Sequence, residues 1–565
     1  MVAIDIKLYT NCDDAFVAWA PSAFIPGCRG FRLDRQRSTN AKAEIVENRV
    51  GFKKDHPKPR EHRPSNEWPF QRFNWTDHVV DIGNMVRYRV TAMVDDGGGR
   101  PYKEGPGSGW TDWATLSSDA GRGFSCFFNR GIVLSQFVAS YLASHKLTPA
   151  KFKAQLKKSV DPKFRKFLQG DLGEALFGKL AEAKKKGLTL HAALYELGDA
   201  EIEKAMIALK GKLNVILTNG SEKGGDGNKA SRKHLNDGGI QTINRLLGYK
   251  GLGHNKFLVF SKGKTPVAVW TGSTNWSTTG LCTQMNNALF IEDKNIAKLF
   301  RQQWDLLKES SPPKLKPAAF SSPLMSSNDR VKKLSIGAED VTVQFTRTSN
   351  GSDMKLLGDL ITKEAKQAVL FLMFTPGKQG LHTLAAQRAT EPGMYVRGVV
   401  STLGNEKGDS AKNALDIKLV SDHQTFKPDR YTVVQPQGVE VNLGEFIKEV
   451  TRHDFLAQIG HAIVHSKVLV LDPFSDHPIV VTGSHNFSAP ASKTNDENLV
   501  VVRGHKKLAE YYAVNIMSVY QHYRYRSYVR EMLRQHKQPW SNLEDDDKWL
   551  QHELKSKAFE INLWA

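Results

Sequence analysis

The chain has 565 residues, 40% apolar and 24% charged, which is too long for one hydrophobic core and too apolar for a disordered protein, so two or three folded domains are expected. Its 79 Lys and Arg against 59 Asp and Glu give a formal net charge of +20, a field that attracts nucleic acid and anionic membrane alike. Four cysteines (Cys12, Cys28, Cys126, Cys282) without a CxxC pair suggest neither a zinc site nor a disulfide framework, and fit a reducing compartment. No stretch approaches the roughly 18 apolar residues of a membrane span. The N-terminus MVAIDIKLYTNCDDAFVAWA lacks a basic region followed by an apolar one, so the expected location is cytoplasmic, with export by a route that needs no cleaved signal as the alternative.

Residues 1–118 read as short strands: FVAWA, GFRLDR, FNWTDHVV and MVRYRVTAMV, set apart by Gly, Pro and charged clusters. Val86, Tyr88 and Val90 alternate with Arg87, Arg89 and Thr91, the pattern of a half-buried strand. The order of these segments resembles a fibronectin type III-like or immunoglobulin-like β-sandwich, expected to serve recognition or docking rather than catalysis. From residue 119 helices alternate with apolar runs, the signature of α/β layering. FSCFFNRG (124–131) reads as the start of a buried helix, with Asn129 and Arg130 as residues that could face a site. LTLHAALYEL then reads as a strand, GDAEIEKAMIALKG as a helix and LNVILTNG as a strand. The glycine-rich NGSEKGGDGNKASRK (219–233) lacks P-loop spacing and reads as a loop at a site entrance. After a first half over 119–309 comes a linker, 310–339, around the Ser/Pro-rich SSPPKLKPAAFSSPLMSSN (310–328). A second half over 340–530 repeats the pattern, with SDMKLLGDLITKEAKQ as a helix and AVLFLMF and MYVRGVVS as strands. QHYRYRSYVR (521–530) suits either a helix covering the core or a nucleic-acid surface. Residues 531–565 read as a tail.

The halves end alike: GHNKFLVFSKGKTPVAVWTGSTNWS spans Gly253 to Ser277, and VHSKVLVLDPFSDHPIVVTGSHNFS spans Val464 to Ser488. Each has His-x-Lys at an apolar strand, a polar turn, a second strand and Thr-Gly-Ser-x-Asn-aromatic-Ser. Lys256 to Gly272 and Lys467 to Gly483 are both 16 positions apart. A phosphodiester repels nucleophiles, so its cleavage needs cationic donors, a nucleophile and an acid for the leaving alkoxide. The repeat supplies each twice: two histidines for a double displacement through a phosphohistidine, and two lysines to offset charge. No carboxylate cluster with magnesium- or calcium-like spacing stands out near either motif, so no metal or other cofactor is expected.

These paired motifs resemble the HxK(x)4D…GSxN signature of the phospholipase D superfamily over residues 119–530. The resemblance implies two pseudo-symmetric α/β halves, each a mixed sheet flanked by helices, preceded by the small β-sandwich, with one active site between the halves. One chain therefore forms a complete site, and the oligomeric state stays open. The resemblance places His254, Lys256, Ser273, Asn275, His465, Lys467, Ser484 and Asn486 in catalytic roles. The family's aspartate five positions after the lysine is Asp472 in the second half and Ser261 in the first; Asp472 precedes a proline, so it also suits a turn. The downstream carboxylate that supports a catalytic histidine appears as Glu497, while Asn286 holds the matching place. An uneven carboxylate shell separates the two imidazole pKa values, which suits a site needing one base and one acid. The family habit favours His254 as nucleophile and His465 as acid, and which histidine Glu497 contacts stays open.

The expected activity is that of a metal-independent phosphodiesterase acting on nucleic acid, DNA or RNA, because of the positive charge. An amide in place of the first-half carboxylate is also similar to tyrosyl-DNA phosphodiesterases. The alternatives are a phospholipase D acting on phosphatidyl lipids, a toxin being one form of it, with PAAFSSPLM (317–325) as its apolar loop, and a nucleic-acid-binding protein that does not cut.

Overall fold

The computed structural model describes all residues except 1, 39–41, 59–60, 132–140, 142–143, 148, 222–224, 249–250, 312–321, 378–379, 402–431, 435–463, 535 and 537–541, and only the backbone of 149, 150, 153 and 526–534. Two compact units result: Met1–Ser118 with Tyr528–Ala565, and the described residues of Asp119–Glu440 with those of Glu449–Ser527.

The first unit packs two antiparallel sheets. One has the order β1 (Ile4–Thr10), β2 (Ala15–Pro21), β5 (Asn74–Asp77); the other runs β8 (Ala114–Thr115), β6 (Met85–Val94), β3 (Cys28–Gln36), β4 (Glu44–Ile45), with β7 (Lys103–Gly107) also on β6. Val86, Tyr88 and Val90 fill the core beside Val17, Trp19 and Phe31. Arg87 and Arg89 point outward and stack on Trp110, and Arg87 also on Trp113. Residues 531–565, expected as a tail, include helices Lys548–Ser556 and Ala558–Trp564, whose Trp549, Leu550 and Ile561 belong to the same core. Trp549 Nε1 donates to the Cys28 carbonyl at 2.9 Å and Trp564 packs against Phe16 in a tilted contact with centroids 4.6 Å apart. The sandwich is thus completed by apolar side chains some 500 residues away in the chain.

The second unit holds two eight-stranded mixed sheets of one design. In the first half the strands in chain order are β9 (Asp119–Gly121), β10 (Phe124–Phe128), β11 (Thr189–Leu194), β12 (Leu213–Thr218), β13 (Ile243–Arg245), β14 (Lys256–Lys262), β15 (Thr265–Gly272) and β16 (Asn287–Ile291), arranged β9-β10-β16-β15-β14-β11-β12-β13. In the second half they are β17 (Lys332–Ile336), β18 (Glu339–Phe345), β19 (Ala368–Met373), β20 (Tyr395–Val400), β21 (Val433–Val434), β22 (Val468–Leu471), β23 (Ile479–Gly483) and β24 (Asn498–Arg503), arranged β17-β18-β24-β23-β22-β19-β20-β21. The internal repeat therefore extends strand for strand through both sheets. Residues 332–336, inside the span expected as a linker, form an edge strand paired with β18.

FSCFFNRG is a strand, not a helix start. Phe124–Phe128 pairs along β16 with both faces largely buried, and a continuous apolar run of that length suits a central strand as well as a helix. Helix Pro162–Lys185 packs Leu168, Leu172, Leu176 and Leu180 on one face of the first sheet. Helix Lys294–Glu309 covers the other, with Phe300 edge-on to Phe257. Aspartates start three of the first-half helices: Asp161, Asp199 and Asp293 each accept a main-chain N–H of the first turn. Helix Lys506–Arg534 buries Tyr512, Tyr520 and Tyr523 and leaves Tyr525 exposed, so the described part of the 521–530 segment mostly covers core; the side chains of 526–530 lie outside the described residues. Among the described residues no helix is long and apolar enough to cross a membrane.

Candidate active site between the halves

β14 and β22 are apolar on both faces, and each His-x-Lys lies where its strand begins. Lys256 is the first residue of β14, whereas His465 and Lys467 precede Val468, so both histidines stand just outside the ladder. His254, Lys256, His465 and Lys467 are all at most 4% exposed. Each lysine ammonium donates to the carbonyl of its own histidine, Lys256 to His254 at 2.8 Å and Lys467 to His465 at 2.7 Å. An aromatic ring backs each pair. Tyr195 lies 4.6 Å from His254 and 4.7 Å from the Lys256 nitrogen, and Phe374 lies 4.9 Å from His465 and 5.1 Å from that of Lys467. Sequence inspection passes over these rings, although each directly follows a central strand, β11 or β19, by one residue.

The supports of the histidines cross between the halves. His254 Nδ1–H donates to Glu497 Oε2 at 2.7 Å, so the second half's carboxylate holds the first half's histidine. His465 Nδ1–H donates to Asn286 Oδ1 at 2.9 Å. The Asn286 amide is oriented by its own donations to the Gly280 and Gln284 carbonyls, which leaves its oxygen toward the histidine. Ser273 Oγ adds a second hydrogen bond to that oxygen at 2.8 Å. Main-chain bonds lock the exchange: His465 N–H to the Met285 carbonyl at 2.9 Å and Asp496 N–H to the Leu252 carbonyl at 2.8 Å. With both Nδ1 atoms committed, both Nε2 atoms are the ones available for chemistry.

Other residues hold this frame. Asn129 Oδ1 accepts the Asn286 N–H at 2.7 Å, so Asn129 acts on the site through Asn286. Thr346 Oγ1 accepts the Glu497 N–H at 3.0 Å, and Asn495 Nδ2 donates to Glu497 Oε1 at 3.1 Å. The Gly-Ser-x-Asn turns follow β15 and β23. Gly272 and Gly483 have φ of 148° and 146°, and a Cβ at either would stand 2.4 or 2.3 Å from the carbonyl oxygen of Asn287 or Asn498, so only glycine fits there. Ser484 Oγ accepts the Asn498 N–H at 3.0 Å, as Ser273 Oγ accepts that of Asn287. Asn275 Nδ2 donates to Glu196 Oε2 at 2.7 Å, a carboxylate that sequence reading does not single out. Asn275 Oδ1 and Asn486 Oδ1 are buried with no partner among the described residues. In the glycine-rich segment, Asn228 donates to the carbonyls of Tyr195 and Thr218, tying that loop to the strand end beside the site; 222–224 lie outside the described residues.

Asp472 is not brought to the site. Its carboxylate accepts the main-chain N–H groups of Lys366, Gln367 and Ala368 at 2.7–2.8 Å, and its N–H returns a bond to the Ala368 carbonyl. The aspartate that follows the second His-x-Lys thus caps the start of β19. Asp472→Ala is expected to cost about 3 kcal/mol of stability by stranding these donors, with kcat changed by no more than about threefold, as read from denaturant unfolding beside a diester assay.

Burial and charge shape the titration of the site. Desolvation, then the positive charges of Lys256 and Lys467, push the His254 imidazole well below its usual range, and desolvation and the same lysines do so for His465. The Ser484 carbonyl opposes this at His254, and the Ser273 carbonyl at His465. Desolvation lowers Lys256 to about 7 and takes Lys467 well down, while Glu497 and Glu196 pull both back up. Burial raises Glu497 to about 7. The site is thus poised to take up an anion together with protons.

The profile of the family described as cardiolipin synthase, PLD-like domain, matches residues 176–307 and 362–519. No curated protein sequence matches the chain. Among solved structures, phosphatidylserine synthase of Haemophilus influenzae Rd KW20 is 14% identical, covering 74% of this chain and 93% of its own, with a TM-score of 0.38. Polyphosphate kinase of Porphyromonas gingivalis is 13% identical over 58% of this chain, with a TM-score of 0.35, and the match spans 45% of that kinase. Yeast tyrosyl-DNA phosphodiesterase is 10% identical over 57% of this chain and 86% of its own, with a TM-score of 0.29.

Proposed function

Because the chain belongs to the phospholipase D superfamily, we propose that it is a metal-independent phosphodiesterase in which His254 is the nucleophile and His465 the general acid and base, acting on nucleic acid. The observation that carries the division of roles is the crossed pairing of His254 with a carboxylate and His465 with an amide. His254 Nε2 attacks phosphorus, and the bond to the leaving oxygen breaks as His465 Nε2–H gives up its proton. The phosphohistidine keeps a positive ring, which the Glu497 carboxylate offsets through Nδ1–H. His465, now neutral, takes a proton from water; the hydroxide attacks phosphorus, the N–P bond breaks and a phosphomonoester leaves. A carboxylate thus supports the histidine whose positive charge persists. A neutral amide supports the one whose charge is transient, which keeps His465 a stronger acid. Lys256, Lys467, Asn275 and Asn486 supply donors to the nonbridging oxygens.

Because burial holds His465 low and Lys256 at about 7, kcat/KM is expected to fall as pH rises through about 7, the protons on both being required for productive binding. A pH–rate profile that stays level or rises up to about pH 9 would oppose this assignment.

The net charge of +20 supports a polyanionic substrate. A lipid substrate is the second reading, favoured by the description of the matched family. Incubation in EDTA with single- and double-stranded DNA, RNA and phosphatidylcholine vesicles separates them. Cleaved nucleic acid, lost in His254→Ala and His465→Ala, supports the first; headgroup release with intact nucleic acid supports the second. Binding of nucleic acid without any cleavage would leave a non-catalytic protein.

A further inference from the structure

Besides the Glu497 and Asn286 pair, the pseudo-symmetry of the two halves fails at a further position beside the phosphate donors. Tyr195 and Phe374 back the two histidines from equivalent places, and the residue after each is Glu196 in the first half and Thr375 in the second. Glu196 Oε2 accepts from Asn275 Nδ2 at 2.7 Å, its carbonyl accepts the Trp276 N–H at 3.1 Å, and its side chain is half-buried. Its charge reaches both Lys256 and Lys467, raising the pKa of each. Glu497 is the other carboxylate acting on these lysines, but it is fully buried and bonded to His254 and Asn495. An anion held by Asn275 therefore lies next to a carboxylate that no hydrogen bond to a histidine occupies.

Such a carboxylate opposes the binding of any anion, and it opposes a dianion about twice as strongly as a monoanion. The substrate and product of phosphodiester hydrolysis differ in this respect: the diester carries one negative charge, and the monoester or inorganic phosphate carries a second near neutral pH. Resting on the phosphodiesterase reading above, we propose that Glu196 is a specificity-determining residue that disfavours dianionic phosphates, so that the site takes diesters and releases its monoester product. The two lysines supply the attraction; Glu196 sets how steeply that attraction grows with ligand charge.

Calorimetric titration of the whole protein with inorganic phosphate and with dimethyl phosphate, a diester with poor leaving groups, at about pH 8 where inorganic phosphate is mostly a dianion, tests this by affinity rather than by rate. Glu196→Gln keeps an oxygen to accept from Asn275 and removes the charge. The ratio of the dimethyl phosphate Kd to the phosphate Kd is expected to rise about fivefold or more in the variant. Glu196→Ala should raise the ratio as well, although it loses the Asn275 contact. A ratio unchanged in both folded variants, or both ligands shifted equally, would overturn the assignment. Because the readout is binding, failure of the wild-type protein to cleave diesters would count against the phosphodiesterase reading alone.

Discussion

His465→Asn is expected to release one equivalent of a good leaving group from a diester such as bis(4-nitrophenyl) phosphate and then stall, whereas His254→Ala releases none. Nitrophenolate leaves without a proton, so attack by His254 survives loss of the acid. Hydrolysis of the phosphohistidine does not survive, because neither group that supports a histidine can take over as base: Glu497 is committed to His254 and Asn286 is an amide. Steady-state turnover should fall about 10⁴-fold or more in either variant, since removing His254 deletes the nucleophile itself and removing His465 deletes the base of the second step. Rapid-quench measurement of the burst distinguishes them. Bursts of equal size in both variants would mean that the roles are not divided.

Lys256→Met is expected to lose about 10²–10³ in kcat/KM while making the protein more stable at mildly acidic pH. An unfolded lysine titrates near about 10.4. Burial lowers folded Lys256 to about 7. Between these values the unfolded chain holds a proton that the folded chain does not, so this residue makes stability rise with pH across that window; below about 7 the folded state bears the whole cost of a buried ammonium. Methionine fills the same space over Tyr195 without that cost. The gain at about pH 6 should be about 2 kcal/mol or more, less than the full shift implies because methionine forfeits the hydrogen bond to the His254 carbonyl. Urea unfolding at about pH 6 and about pH 10 should show the gain shrinking at the higher value. A variant less stable than wild type at pH 6 would mean that the ion pairing outweighs the desolvation.

Eight of the ten expected site residues are named by the duplicated motif alone, because the same residue types recur at the same spacing in both halves. Glu497 is also legible as a support, but its partner is not: the contact with His254 joins residues 243 positions apart and depends on how the halves dock. Asp472 matches the motif and yet serves β19, since a carboxylate after a strand suits an N–H cluster as well as a phosphate site. Glu196 follows no pattern at all; a lone glutamate at a strand end looks like a solvated one until Asn275 is seen beside it. The C-terminal helices are short, and their Trp549 and Ile561 acquire meaning only when the sandwich core 500 residues earlier is there to receive them.

The division of roles is tested most directly by locating the covalent intermediate. Wild-type protein mixed with a diester in EDTA, quenched in alkali to preserve phosphohistidine and mapped by tandem mass spectrometry, should carry the phosphoryl group on the peptide containing His254. A phosphoryl group on His465 would contradict the assignment, and turnover without any phosphorylated peptide would contradict the double displacement itself.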